Sequence, residues 1–136
     1  MEDGQNAGRW TYVCDGGVLG RNPSPRGVYF SVWCKDPRGV AQRVVVRHRH
    51  TEYHTNQDAE WLAMRAALSD ALQRRALHVD VRTDSMFVVK QFNGQWRAKI
   101  ERHAKLMHEC RGLAREIGDV TVGWTPREVV VSKLGH

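Results

Sequence analysis

Cysteine is scarce in this 136-residue chain: three residues, an odd number at wide spacing. That count excludes a disulfide framework and fits packed thiols in a reducing compartment, so a cytoplasmic location is expected. No apolar run approaches the roughly 18 residues that a transmembrane helix needs, which excludes such a helix, and no membrane partner is expected. Residues 1–8 lack both the basic-then-apolar pattern of a secretion signal and any periodicity. Residues 1–9 therefore read as a flexible N-terminus and 10–136 as one domain. Glycine and proline number only 12 and 4, which excludes collagen-like and low-complexity chains. Acidic residues are outnumbered, 15 against 21 lysines and arginines, for a net charge of +6, and none follows Glu128. A small basic domain points to a polyanionic partner, most often nucleic acid. Hydrophobic residues make up 41%, enough for one ordinary core. Nothing requires a protein partner, and a monomer is expected.

Periodicity supplies the elements. Trp10–Cys14 is a short β-type run, followed at once by Asp15-Gly16-Gly17. Gly20–Gly27 is turn chemistry. Val28–Cys34 alternates, with Val28, Phe30, Val32 and Cys34 on one face and Tyr29, Ser31 and Trp33 on the other. Asp36-Pro37-Arg38-Gly39 predicts a hairpin turn, and Arg43–Arg49 a third, Val-rich strand. Thr55 with Asp58 three residues on predicts a helix start, and Ala59, Leu62, Ala63, Ala66 and Ala71 mark its apolar stripe. Leu77, Val79, Val81 and Thr83 alternate with polar residues as a fourth strand. Ser85–Phe92 reads as a short helix stopped by Asn93-Gly94. Leu106, Cys110, Leu113 and Ile117 recur at helical spacing up to Gly118. Val120–Trp124 is a last strand, closed by Pro126. The expected fold is α/β: a mixed five-stranded sheet, an antiparallel β1-β2-β3 meander and then parallel β4 and β5, with helices packed on it.

Three carboxylates stand where this order can bring them together. Asp15 follows the first strand, Glu60 lies in the first turns of the first helix, and Asp84 ends the fourth strand. Singly, each has a plain structural role: a turn residue, a solvated helix Glu, a helix cap. Together, clustered carboxylates repel unless a cation holds them. Oxygen donors without Cys or His favour Mg²⁺ or Mn²⁺. Two such ions about 4 Å apart suit phosphodiester hydrolysis. An acidic metal pocket in a basic protein is the charge plan of a nuclease. His48, His50 and His54 lack further metal ligands at zinc spacing and read as solvent-facing or phosphate-contacting.

The chain resembles the type 1 ribonuclease H family. The matching segments are Tyr12-Val13-Cys14-Asp15-Gly16-Gly17, Gly20-Arg21-Asn22-Pro23, Thr55-Asn56-Gln57-Asp58-Ala59-Glu60-Trp61, Thr83-Asp84-Ser85, Gln91-Phe92-Asn93-Gly94-Gln95-Trp96 and Trp124-Thr125-Pro126-Arg127-Glu128. The resemblance covers about residues 10–128. It implies the ribonuclease H-like fold, hydrolysis of the RNA strand of RNA–DNA hybrids, and two divalent ions held by Asp15, Glu60 and Asp84. It also implies that Asn22, Asn56 and Gln57 contact ribose 2′-hydroxyls, which an amide can do as donor and acceptor. Ser85, Trp96, Arg97 and Lys99 complete the expected substrate-binding set, Trp96 by stacking or by packing.

Two departures from the family pattern stand out. Gly94–Lys105 lacks a long basic insertion, although Arg97, Lys99, Arg102 and Lys105 keep charge there. The family's fourth Asp, on a final helix, has no acidic counterpart after Glu128. Residues 129–136 either form that helix without its Asp or stop at the family's His loop. A second ion would then lack a protein ligand, so weak activity in Mg²⁺ and stronger activity in Mn²⁺ are expected. His136 is the first replacement, as ligand or proton carrier in catalysis, and Glu128 the second. The alternative is a weakened or inactive domain that binds hybrid or double-stranded RNA.

Overall fold

The computed structural model describes residues 8–48 and 52–135. Along the chain run β1 (Arg9–Val18), β2 (Val28–Lys35), β3 (Ala41–His48), α1 (Asn56–Gln73), β4 (His78–Thr83), α2 (Met86–Phe92), α3 (Glu101–Ile117), β5 (Asp119–Trp124) and α4 (Arg127–Leu134). The sheet order is β3-β2-β1-β4-β5. The first three strands pair antiparallel, and β1–β4 and β4–β5 pair parallel, as the alternation and the crossovers predict.

Side-chain alternation gives the sheet two faces. Trp10, Tyr12 and Cys14 of β1, Val28, Phe30 and Cys34 of β2, and Val79 and Val81 of β4 enter the main core under α1 and α3. Their large apolar side chains, removed from water by Trp61, Leu62, Met64 and Leu68 of α1, supply the dominant driving force. The opposite face is covered by α4, whose Val130 and Leu134 bury against Val13, with Trp33 alongside. The three cysteines are free and buried.

The caps follow local chemistry. Thr55 accepts from the Asp58 N–H while the Asp58 side chain accepts from Thr55, a reciprocal capping box. Gly118 ends α3 at φ 116°, a conformation that glycine adopts without strain. Asp36 Oδ1 accepts from the N–H groups of Arg38 and Val40, both at 2.9 Å, closing the predicted hairpin.

Three expectations change, and one open alternative is decided. β1 does not stop before Asp15: it continues through Gly16-Gly17 to Val18, because Asp15, Gly16 and Gly17 pair with Ser31, Phe30 and Tyr29. Two glycines that read as a turn are strand residues held by a neighbour. Leu77 precedes β4 and is exposed rather than inward. Ser85, not Asp84, caps α2. Of the two endings left open, a final helix without its Asp or a stop at the His loop, the structure has the helix, over Arg127–Leu134. Leu134, 2% exposed, anchors its end. Among the described residues, no helix is long and apolar enough to cross a membrane.

Candidate active site

The parallel register brings two of the three carboxylates together. Val13 of β1 pairs with Arg82 of β4. Two residues further on lie Asp15, still within β1, and Asp84, just past the end of β4. The third comes from α1, which crosses close over β1: a Cβ on Gly16 would sit 2.3 Å from the carbonyl carbon and oxygen of Ala59. Only glycine permits that approach, and it sets Glu60, the next residue, beside Asp15. Carboxylate oxygens of Asp15, Glu60 and Asp84 all lie within 4.8 Å of one another.

Their electrostatics follow from crowding. The Glu60 carboxyl is pushed up from 4.5 to about 7, first by burial, then by the charges of Asp15 and Asp84. A hydrogen bond from the Ser85 hydroxyl and the charge of Arg127 oppose the rise. Ser85 is itself buried and also accepts from the Val88 N–H at 3.3 Å. It is thus placed to hold Glu60 and to cap α2 from beneath the site.

A cation missed by the sequence reading completes the cluster. Trp124 of β5 pairs with Thr83 of β4, and the Thr125 N–H donates to Thr83 O at 3.0 Å. Arg127, three residues beyond Trp124, therefore begins α4 beside Asp84. Its Nη1 donates to Asp15 Oδ2 at 3.0 Å and to Asp84 Oδ2 at 3.2 Å. Arg127 lies within the Trp124–Glu128 segment, but nothing local indicates which acids it meets. Glu128 follows it as an exposed residue. His136 lies outside the described residues, as does His50.

The expected substrate contacts fall in two places. Asn22 Oδ1 accepts from the Asn56 N–H at 3.2 Å, joining the β1–β2 loop to the start of α1 with both side chains exposed. The same loop is tied down where the Ser24 N–H donates to His54 O at 2.7 Å. Gln57 looks the other way, into a groove of about 560 Å³ with Phe87, Trp96, Arg97, Lys99 and Ile100. Trp96 is 45% exposed there and meets Phe87 edge to face at 5.5 Å. Its indole is available for stacking rather than packed in the core.

A buried charge cluster ties the two places together. The Asp58 side chain, with no solvent exposure, accepts from His54 and Thr55 N–H groups at 2.8 and 3.0 Å. It also accepts from Arg102 Nε at 2.7 Å and His103 Nε2 at 2.6 Å. Burial opposes the charge, yet His103, Arg102 and the backbone donors hold the carboxyl well below the usual range. The start of α3 thereby clamps the segment that presents Asn56 and Gln57.

The chain matches the family model described as reverse transcriptase-like over residues 18–132. It is 33% identical over 116 residues to "Bifunctional protein Rv2228c" of Mycobacterium tuberculosis, covering 83% of this chain. The chain spans about 30% of that relative's length. The solved N-terminal RNase H domain of Rv2228c superposes with a TM-score of 0.76 at 25% identity, over 92% of this chain and 87% of that one. RNase H1 of Halobacterium salinarum gives 0.82 at 24% identity, over 94% and 92%. LC11-RNase H1 in complex with RNA/DNA hybrid gives 0.78 at 24%, over 91% and 90%.

Proposed function

The chain belongs to the reverse transcriptase-like family, with the ribonuclease H fold, and from that premise we propose that it is an endoribonuclease hydrolysing the RNA strand of RNA–DNA hybrids. The observation that carries this reading is the convergence of Asp15, Glu60 and Asp84 from β1, α1 and the end of β4.

The donor set fits a divalent cation. Three carboxylates offer only hard oxygen atoms, which suit Mg²⁺ or Mn²⁺, and a cationic group already sits between two of them. Asp15, Glu60 and Asp84 would hold the ions. When bound, two divalent ions supply an activated water and stabilise the leaving oxygen of an in-line displacement.

The chain's own residues set strand choice and position. Asn22, Asn56 and Gln57 would bond 2′-hydroxyls of the RNA strand. Trp96 beside Phe87, with Arg97 and Lys99, would take sugar and phosphate along the groove. In the balanced reaction, water's hydroxyl bonds to phosphorus, the P–O3′ bond breaks and O3′ receives a proton. The products are a 5′-phosphate and a 3′-hydroxyl. A single chain acting in the cytoplasm is sufficient for this chemistry.

A second reading rests on one observation. The Arg127 guanidinium lies between Asp15 and Asp84. A domain whose acids are neutralised internally would bind hybrid or double-stranded RNA without cutting it. A fluorescent hybrid decides between the two. Cleavage in Mg²⁺ or Mn²⁺, abolished by EDTA and by Asp84→Asn with hybrid binding retained, supports the nuclease. Binding without cleavage in either metal supports the second reading.

A further inference from the structure

Arg127 combines a fixed base with a movable head. Its backbone opens α4 directly after Pro126. The helix is pinned by Val130 and Leu134 against Val13, by Arg43 Nη1 donating to Leu134 O at 3.2 Å, and by Lys133 Nζ lying 4.7 Å over the Trp33 ring. The guanidinium is held differently. One nitrogen serves both Asp15 and Asp84, and the side chain is 53% exposed against 5% and 16% for the two acids. The acids are set in the fold, while the cation facing them can leave into solvent.

A divalent ion held by Asp15, Glu60 and Asp84 would sit beside this guanidinium on the same two acids. Two cations at contact distance repel, and both draw on the charge of Asp15 and Asp84. Ion binding therefore opposes the two charge-assisted hydrogen bonds. The released guanidinium stays tethered within one side chain's length of the site. Its planar fork matches a phosphate in two-point contact.

We propose that Arg127 is a resident counter-cation, exchanged for the divalent ion and handed to a backbone phosphate of the incoming nucleic acid, so that metal and polyanion bind cooperatively through this one side chain. The inference rests on the metal-dependent reading above. A phosphate that engages Arg127 removes the metal's competitor and raises metal affinity. By linkage, metal raises affinity for the phosphate backbone by the same factor. The exchange also keeps the three acids partly neutralised before metal arrives, which limits their mutual repulsion in the folded state.

The test is a titration of the whole chain with Mn²⁺, the free ion followed by electron paramagnetic resonance. It is run alone and with a DNA strand paired to a 2′-O-methyl RNA strand that cannot be cut. Without nucleic acid, Arg127→Gln should bind Mn²⁺ about tenfold more tightly than the unaltered chain, since two charge-assisted bonds no longer compete. Arg127→Lys, which keeps the charge, should fall between them. The uncleavable duplex should tighten Mn²⁺ binding by a larger factor in the unaltered chain than in Arg127→Gln, where only direct contact between ion and phosphate remains. Equal or weaker Mn²⁺ binding by Arg127→Gln overturns the exchange, and so does coupling of undiminished size without the guanidinium. Asp84→Asn separates the two levels. If it binds Mn²⁺ as well as the unaltered chain, the carboxylates are not the metal site and the functional reading fails first.

Discussion

Gly16 and Ala59 meet so closely that a Cβ on Gly16 would lie 2.3 Å from the Ala59 carbonyl and 2.8 Å from its Cβ. Both atoms of that carbonyl belong to a helix backbone packed on a sheet, so neither side can yield cheaply. Gly16→Ala should cost about 3 kcal/mol of stability, at the upper end of overpacking changes. It should also reduce cleavage in the remaining folded fraction, because α1 lifts Glu60 away from Asp15. Urea unfolding and activity at equal folded concentration measure both effects. An unchanged transition midpoint would show that β1 and α1 separate freely.

The raised Glu60 carboxyl makes a pH prediction for the metal-free protein. Its folded value of about 7 lies above its ordinary 4.5. The protonated form is favoured by folding, so this group's contribution is complete below pH 4.5 and is lost as pH climbs through 7. Relative to Glu60→Gln, the unaltered chain should lose on the order of 3 kcal/mol over that window. Melting curves of the two proteins in EDTA, compared from pH 4 to 8, report the difference. A gap that stays constant with pH contradicts the assignment.

Asp58 works in the opposite direction. Its carboxyl is held low by His103, Arg102 and two backbone donors against burial, so its contribution is present above its ordinary value and fades in acid. Asp58→Asn leaves the buried His103 and the half-buried Arg102 facing a neutral group. The expected loss is about 3 kcal/mol, the range for breaking a buried pair from one side. Hydrogen exchange should show the start of α1 opening before its middle. Uniform protection along α1 in the variant would deny the clamp.

Substrate discrimination should separate from affinity. Changing Asn56 and Gln57 together to Ala removes amide contacts to the RNA sugar but no positive charge. Hybrid cleavage should fall by more than hybrid affinity, while the steep dependence of binding on salt stays the same, because that slope counts neutralised phosphates. Arg97 and Lys99 to Ala should do the reverse and flatten the slope. Equal cutting of duplex DNA by the unaltered chain would remove the 2′-hydroxyl from the account.

Much of this molecule is written in short stretches of its sequence. Alternation through Val28–Cys34 put the apolar residues on the inner face, since a strand's side-chain period is two wherever it pairs. Thr55 and Asp58 announced their reciprocal cap, because both partners lie within one helical turn. The three acids were legible through the motifs around them. What lay beyond the sequence depends on residues far apart in the chain. Asp15-Gly16-Gly17 reads as a turn until β2 supplies the partners that keep it extended. Asp15 meets Asp84 only through the register of β1 on β4. The Val129–Val131 run has no helical period, and its helix is decided by burial of Val130 and Leu134 against Val13. Trp96 could pack or stack until α2 and the groove left it exposed beside Phe87. The placement of Arg127 between Asp15 and Asp84 spans 112 and 43 positions of sequence. Local propensity acts over a few residues, whereas the meaning of a charge is set by whatever the tertiary structure brings within hydrogen-bonding distance of it.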